Sequence, residues 1–479
     1  MGAVAGTTLS QIETSALTSR QRMLIGAAVV GNMLEFFDLF LIGFVVNIIA
    51  GPWGLTFGES SFVLMAAGVG AIVGAFLFGH LADKVGRRKT FIATVLTFSV
   101  ATGLMALVPD GNWIALGLLR FVVGLGVGGL LAVDLPLVQE FVPSARRGVL
   151  SGLVVLLVPA GLLLGSLAAS TLGPVLGWRG LVLLGLVPAV LTLCVRSFVP
   201  ESPRWLIQQG RLDDARNSVA WALKLQPEDV DLGDTSTPPV THKWSTIFRY
   251  RRSIALTWIG SLGMQTAFYG FSLWAPTLIA LQMGVSPARA AFLNIFIALG
   301  GIGARYLWSV VGDRYGRRYT STALALAGAA CLLVTGFTHE TEIMGIAVFY
   351  PMLIVTFIFV DGIFAVMNPY HAEVFPTALR SSGFGSAYGF GGIGKIVGPA
   401  ALALISGAGN LVSPQATLGA IPGAFALLAG GSVLVLFANT VFGINTHRLT
   451  LEQLDAQAES QRTDNASANP AIWTGARSK

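Results

Sequence analysis

Long apolar stretches separated by short polar turns dominate the chain from about residue 23 to residue 442. Phe91 to Val108, Gly148 to Leu172 and Ala420 to Phe442 contain no charged residue. Each comes near the roughly 20 apolar residues a helix needs to cross a bilayer. A helix lying on a soluble core would keep a polar stripe, and these keep none. The pattern predicts twelve spans, near 23–50, 62–82, 90–108, 113–141, 148–172, 178–198, 253–282, 288–312, 320–337, 342–372, 381–407 and 416–442. One long connection, Val199 to Arg252, turns abruptly polar and holds a helix-like stretch, Arg211 to Leu225.

The expected organisation is therefore an N-terminal tail (1–22), a six-helix bundle (23–198), a linker with short helices (199–252), a second six-helix bundle (253–442) and a C-terminal tail (443–479). The tail opens on a short amphipathic stretch, Leu449 to Ala456, and its Ser/Asn/Ala-rich end has the composition of a disordered segment. The fold class is an all-α membrane protein.

Composition agrees. Of the 479 residues 54% are hydrophobic and 11% charged, whereas soluble domains carry about 25% charged residues. The 58 glycines and 21 prolines fall largely inside apolar runs, where neighbouring helices tolerate them. Cys194 and Cys331 also lie in apolar segments, so neither a disulfide framework nor a zinc site is expected.

The net charge of +6 would suggest nucleic acid if its placement did not explain it. The even-numbered connections hold Lys84, Arg87, Arg88, Lys89, Arg146, Arg147, Arg314, Arg317, Arg318 and Arg380, and the odd-numbered ones only Arg179 and Arg289. Positive charge collects on the cytoplasmic side of membrane proteins, which puts both termini in the cytoplasm. The first apolar run, Met23 to Ala50, is too long for a signal-peptide core. No G-x-x-x-x-G-K-[ST] run is present, and the Gly124 to Gly128 run lies inside a span rather than after a soluble strand, so ATP and dinucleotide readings fail. Neither cofactor nor enzymatic chemistry is expected.

Two motifs repeat in register. Gly79-His-Leu-Ala-Asp83-Lys-Val-Gly86-Arg87-Arg88 returns as Val310-Val-Gly-Asp313-Arg-Tyr-Gly316-Arg317-Arg318, and Glu140-Phe-Val-Pro143-Ser-Ala-Arg-Arg147 as Glu373-Val-Phe-Pro376-Thr-Ala-Leu-Arg380. The two offsets are nearly equal, which marks a duplicated six-span unit.

The loop Gly79 to Arg88 resembles the G-x-L-x-D-x-x-G-R-R signature of the major facilitator superfamily. Arg120-Phe-Val-Val-Gly124-Leu-Gly126-Val-Gly128 resembles its span-four motif, and Pro200-Glu-Ser-Pro-Arg-Trp-Leu206 the motif closing span six in sugar-porter-like members. Glu373-Val-Phe-Pro-Thr with Arg380 and Gly391 to Pro399 is similar to the organic-ion and niacin-type branch, and Gly31-Asn-Met-Leu-Glu35-Phe-Phe-Asp38 to the opening span of metabolite:proton symporters. Span seven has Gly263-Met-Gln265-Thr-Ala-Phe268-Tyr269-Gly270 where sugar porters carry paired glutamines, which disfavours sugar. Span five has Pro159-Ala-Gly161 without the run typical of drug:proton antiporters. The resemblance implies two pseudo-symmetric halves that rock about a central site, exposing it to either side in turn.

An ionised group at the bilayer centre costs about 2.5–3.5 kcal/mol on insertion scales, so each one is a functional candidate. The spans contain Glu35, Asp38, Arg120, Asp134, Arg305, Asp361 and Lys395. Counting about 1.5 Å per residue from the cytoplasmic ends places Asp38 about 24 Å up with Arg120 about 30 Å, and Asp361 and Lys395 both about 20 Å. Asp134 and Arg305 fall lower, Asp134 about 10 Å up. Two pairs are thus expected: Asp38 with Arg120, and Asp361 with Lys395.

Asp38, Glu35 and Asp134 are the candidates for proton coupling. Lys395, Asp361, Arg120, Gln265, Tyr269, Trp274 and Tyr388 are those for substrate binding, with Lys395 suited to a substrate carboxylate. The resemblance assigns an inner latch to Asp83, Arg87, Glu140 and Arg147 and to their counterparts Asp313, Arg317, Glu373 and Arg380. The expected function is proton-coupled uptake of a small organic acid, aromatic or vitamin-like, by a monomer in a bacterial inner membrane. Its partners would be the substrate, protons and the lipid bilayer, with no nucleic acid. The alternative is a proton-driven exporter of amphipathic compounds.

Overall fold

A computed structural model describes residues 17–141, 157–187, 190, 199–232, 244–344, 346–376, 379–447, 449 and 453–454. The chain begins with four helices: α1 (Ser19–Ile49), α2 (Phe57–Val85), α3 (Arg87–Met105) and α4 (Trp113–Glu140). α5 (Val158–Thr171) and α6 (Gly173–Leu184) follow, then the short linker helices α7 (Pro203–Gln208) and α8 (Leu212–Leu223). The second block holds α9 (Arg251–Met283), α10 (Pro287–Tyr315), α11 (Arg317–Phe337), α12 (Phe349–Glu373), α13 (Arg380–Gly391), α14 (Gly394–Ser406) and α15 (Pro414–Val441). Among the described residues, 8 helices are long and apolar enough to cross a membrane. The protein is an all-α multi-pass membrane protein.

The sequence marks its own helix starts. Thr18 Oγ1 accepts a hydrogen bond from the Gln21 amide at 3.2 Å while Gln21 Oε1 accepts one from the Thr18 amide at 2.8 Å, and Thr56 with Glu59 repeats the arrangement on α2. Each reciprocal pair satisfies two amides that a helix start would otherwise leave bare. At Gly86 (φ 109°) and Gly316 (φ 94°) the chain turns from one span into the next through a conformation that favours glycine.

Several boundaries differ from those expected. Residues 342–344 and 346–348 are not helical: a two-stranded ribbon, β1 (Glu342–Ile343) with β2 (Ile346–Ala347), precedes α12, and Glu342 and Ile343 are exposed. The expected span 381–407 is interrupted between α13 and α14 at Gly392–Ile393. Gly177 (φ 64°) separates the start of α6 from the rest of the expected sixth span. Residues 148–156, 191–198, Cys194, Arg146, Arg147 and all of 1–16 and 455–479 lie outside the described residues, as does the side chain of Asp134.

Contacts group the chain into two compact units. The first joins Met1–Pro239 to Gly270–Ile302 and Lys395–Ala424, and the second comprises Val240–Tyr269, Gly303–Gly394 and Phe425–Lys479. In the first unit α2 and α4 lie backbone to backbone: a methyl group at Gly124 or Gly128 would strike the main chain of Ala67 or Ala71. Small residues let membrane helices approach this closely. The first part of the linker, 199–232, belongs to the same unit, with Thr18 Oγ1 donating to the Ala222 carbonyl at 2.6 Å; Gln21 Nε2 donates to the Phe141 carbonyl at 2.8 Å within that unit.

Candidate functional site

Three sets of polar residues interrupt the apolar interior. In the first unit, Arg120 of α4 reaches Asp38 of α1. Its Nη1 lies 3.4 Å from Asp38 Oδ2 and its Nη2 3.4 Å from the Leu39 carbonyl, with 1% and 4% of the two side chains exposed. A methyl group at Gly185 would come within 2.7 Å of Asp38 Oδ1, so a bare backbone closes this side of the carboxylate. Glu35, one turn before Asp38, is also buried.

The second unit contains a tighter pair that depth counting misassigned. Arg305 of α10 grips Asp361 of α12 through both carboxylate oxygens, Nε to Oδ2 at 2.9 Å and Nη2 to Oδ1 at 2.7 Å. Phe268 and Phe364 lie against the guanidinium, with its carbon 5.9 and 5.2 Å from their ring centres. The expected Asp361–Lys395 bridge is therefore replaced by Asp361–Arg305. Lys395 is buried at the start of α14, where its backbone packs against Gly68 of α2.

Among the other expected binding residues, Trp274 donates its indole N–H to the Pro399 carbonyl at 2.7 Å. Tyr269 is buried edge-on against Phe268. Gln265 is buried and donates through Nε2 to the Tyr388 carbonyl at 3.3 Å, and the Tyr388 ring is half-buried.

At the ends of α2 and α10 the two repeats build matching clusters. Arg87 pairs with Glu140, which accepts from Ser202 Oγ. Arg317 pairs with Glu373, which accepts from Thr446 Oγ1 at 2.9 Å, and also with Asp313 at 3.0 Å. The residues following each block thus occupy equivalent places. Glu201 adds a cap in the first repeat: its Oε1 accepts from the amides of Arg87 at 2.9 Å, Arg88 at 3.0 Å and Ser202 at 2.9 Å. A carboxylate there satisfies bare amides and opposes the positive end of the α3 dipole. Trp205 Nε1 donates to the Asp83 carbonyl at 3.0 Å.

Asp83 does not join these clusters through its side chain, whereas Arg380 places its positive charge near Glu373. The Asp83 side chain is exposed and has no ion pair among the described residues. Arg380 Nε donates to the Ala372 carbonyl at 3.2 Å. Sequence reading singled out Arg305 as a charge inside a span but set it beside Asp134 rather than Asp361, and it missed Glu201 and Thr446. Only Glu201 had a signal, its place in the Pro200 to Leu206 motif.

The remote ends of the helices, away from these clusters, are joined inside the first unit. The amides of Phe57 and Gly58 donate to the carbonyls of Asn410 and Ala408, both at 2.9 Å, and the Val412 amide donates to the Leu55 carbonyl at 3.0 Å. Thr56 faces Leu411 in an antiparallel bridge. Ser61 Oγ donates to the Pro399 carbonyl at 3.1 Å and Asn294 Nδ2 to Ser166 Oγ at 3.0 Å. The N-terminal block is thereby tied to the stretches 270–302 and 395–424.

Comparison with known proteins completes the picture. The niacin transporter NiaP of Acinetobacter baylyi is 29% identical over 399 residues, 82% of this chain and 88% of that protein. The benzoate transport protein of the same species is 24% identical over 477 residues, covering 96% of this chain and 97% of its own length. Its cis,cis-muconate transport protein is 28% identical over 382 residues, 78% and 85% of the two chains. The xylose transporter XylE of E. coli, in a partially occluded inward-open conformation, shares the fold with a TM-score of 0.70 over 90% of this chain and 100% of its own, at 18% identity. Residues 23–458 match the model of the family described as sugar (and other) transporter. The chain therefore belongs to that family, within the major facilitator superfamily, and is a membrane transporter rather than an enzyme.

Proposed function

We propose that this protein carries small organic acids into the cell together with protons, by alternating access. The observation that carries the coupling is the Asp38–Arg120 pair, buried in α1 and α4, whose charged groups approach only to 3.4 Å while Arg120 Nη1 also reaches the Asp38 carbonyl at 3.5 Å. A charge-assisted bond normally spans about 2.7–2.9 Å, so this one is loose. Protonation of Asp38 cancels its charge and leaves Arg120 in need of an anion, which the substrate carboxylate supplies. Proton and anion then enter together, and neither leaves a buried charge uncompensated. Lys395, buried at the start of α14, serves as a second cation for the same ligand class.

The substrate class draws support from relatives that transport niacin, benzoate and muconate. These share a carboxylate on a ring or an unsaturated skeleton. The bacterial relatives and the basic residues Arg87, Arg88, Lys89, Arg317 and Arg318 at one end of the spans support an inner-membrane location with both termini in the cytoplasm. In that orientation the joined remote ends of the first unit face outward.

Uptake of labelled benzoate and nicotinate by cells expressing the gene, with and without a proton uncoupler, tests the reading. Accumulation above that of control cells, abolished by the uncoupler, supports it. Lower accumulation that rises when the uncoupler is added points to export.

A further inference from the structure

The carboxylate of Asp38 has two sides. Oδ2 faces Arg120, and Oδ1 faces Gly185, where a methyl group would lie 2.7 Å from it. That same methyl would lie 3.0 Å from Cγ2 of Thr102 on α3, so Oδ1 and the Thr102 side chain close on one point. Thr102 is 1% exposed. Its hydroxyl lies beside the Asp38 carboxylate, yet in this conformer Oγ1 completes a hydrogen bond with no group among the described residues. The other threonines of α3 behave differently. Thr90, Thr94 and Thr97 donate to the carbonyls of Gly86, Phe91 and Ala93 at 2.8, 2.6 and 2.8 Å, the local outlet for a hydroxyl on a helix. Thr102 keeps its hydroxyl out of its own helix, and a turn about one side-chain bond directs it at the carboxylate. Among charged groups, Arg120 faces Asp38 from α4 and Glu35 stands one turn earlier on α1. α3 carries its charges at Arg87, Arg88 and Lys89, at its other end, α5 carries none, and Arg179 of α6 pairs with Asp110 at 3.0 Å.

An ionised carboxylate only accepts hydrogen bonds, whereas a protonated one also donates. A hydroxyl serves both states, donating to Oδ1 when Asp38 is charged and accepting from it once the proton is on. We propose that Thr102 is the positioning residue of the coupling step: its hydroxyl turns from donor to acceptor as the proton arrives at Oδ1, and so sets the pH at which Asp38 loads and unloads. The proton forms an O–H bond at Oδ1, and no other covalent bond changes. This rests on the assignment of coupling to Asp38 above and adds the group that tunes it. A hydrogen bond to a charged acceptor is stronger than one between neutral groups. The hydroxyl therefore favours the ionised form, and a side chain without it keeps the proton on to higher pH.

The test is exchange of labelled for unlabelled benzoate or nicotinate in proteoliposomes held at one pH on both sides, with KM followed as that pH is varied. KM is expected to rise with pH through the titration of Asp38. Thr102→Val, which keeps the shape and removes the hydroxyl, is expected to move the midpoint up by roughly half to one pH unit, the equivalent of one hydrogen bond. Thr102→Ala is expected to move it the same way, and Thr102→Ser, which keeps the hydroxyl, to leave it near that of the unaltered protein. A merely structural role would lower yield or rate without moving the midpoint. A midpoint unmoved or lowered in the Val or Ala variant overturns the inference, as does a Ser variant that behaves like the Val one. Asp38→Asn separates the two readings, since it is expected to exchange with a KM independent of pH. If it keeps the unaltered profile, the coupling role of Asp38 falls and this inference with it. If it flattens the profile while the variants without the hydroxyl leave the midpoint alone, this inference alone falls. Exchange of neither acid by the unaltered protein removes the organic-acid reading and both inferences built on it.

Discussion

Arg305 and Asp361 form a two-point ion pair of 2.9 and 2.7 Å between α10 and α12, with 1% and 0% of their side chains exposed. Both carboxylate oxygens are engaged, so this pair fastens two helices where the looser Asp38–Arg120 contact is suited to exchange. Asp361→Ala leaves a guanidinium buried without its partner and is expected to lower stability by about 3–5 kcal/mol. Arg305→Met combined with Asp361→Leu removes both charges and should recover most of that loss. Thermal unfolding of the purified protein measures both, and a harmless single substitution would contradict the fastening role.

Asp38→Asn keeps the shape of the side chain but cannot change its charge. Uptake driven by a pH gradient should fall to background, while exchange of labelled for unlabelled substrate across the membrane persists. Gradient-driven uptake at the normal rate would remove Asp38 from the coupling step.

Glu201 accepts from three amides, those of Arg87, Arg88 and Ser202. Glu201→Ala should destabilise the start of α3 by about 0.5–2 kcal/mol, the usual range for a lost cap. Hydrogen exchange at the amides of Arg87 and Arg88 should quicken correspondingly. Unchanged exchange would mean that the cap is not formed in the working protein.

The bridge between Thr56 and Leu411 must break for the remote end to open. Thr56→Cys with Leu411→Cys places two thiols on facing residues of an antiparallel pair, about 4.5–5.5 Å apart at Cα. Oxidation should stop transport and a reductant should restore it. Transport that continues with the pair cross-linked would show that the remote end does not open there.

The repeats were legible because duplication copies residues in register. Arg87 with Glu140 and Arg317 with Glu373 occupy equivalent places, as the two nearly equal offsets suggest. Asp38 and Arg120 could be matched by depth. Asp361 could not, because the expected eighth span ended at residue 312 whereas α10 continues to Tyr315. The extra turn puts Arg305 about ten residues, or roughly 15 Å, from the helix end and level with Asp361 rather than Asp134. Lys395 was matched to Asp361 by depth alone, and depth does not say which neighbour a side chain meets: Asp361 is held by Arg305. Hydropathy locates spans to within a few residues, but pairing across helices depends on register, tilt and rotation. Thr446 carried no signal, since its role depends on how the chain after α15 folds back to Glu373.

Proton-coupled entry of an organic acid is tested most directly in proteoliposomes loaded with a pH dye and given benzoate or nicotinate outside. Protein-free vesicles are the reference, because neutral weak acids cross lipid unaided. The account predicts that substrate accumulates when the interior is alkaline, that the interior acidifies faster than in the reference, and that Asp38→Asn loses both effects while retaining exchange. Substrate entry at the reference rate, or protein-dependent entry with no accompanying acidification, would contradict it.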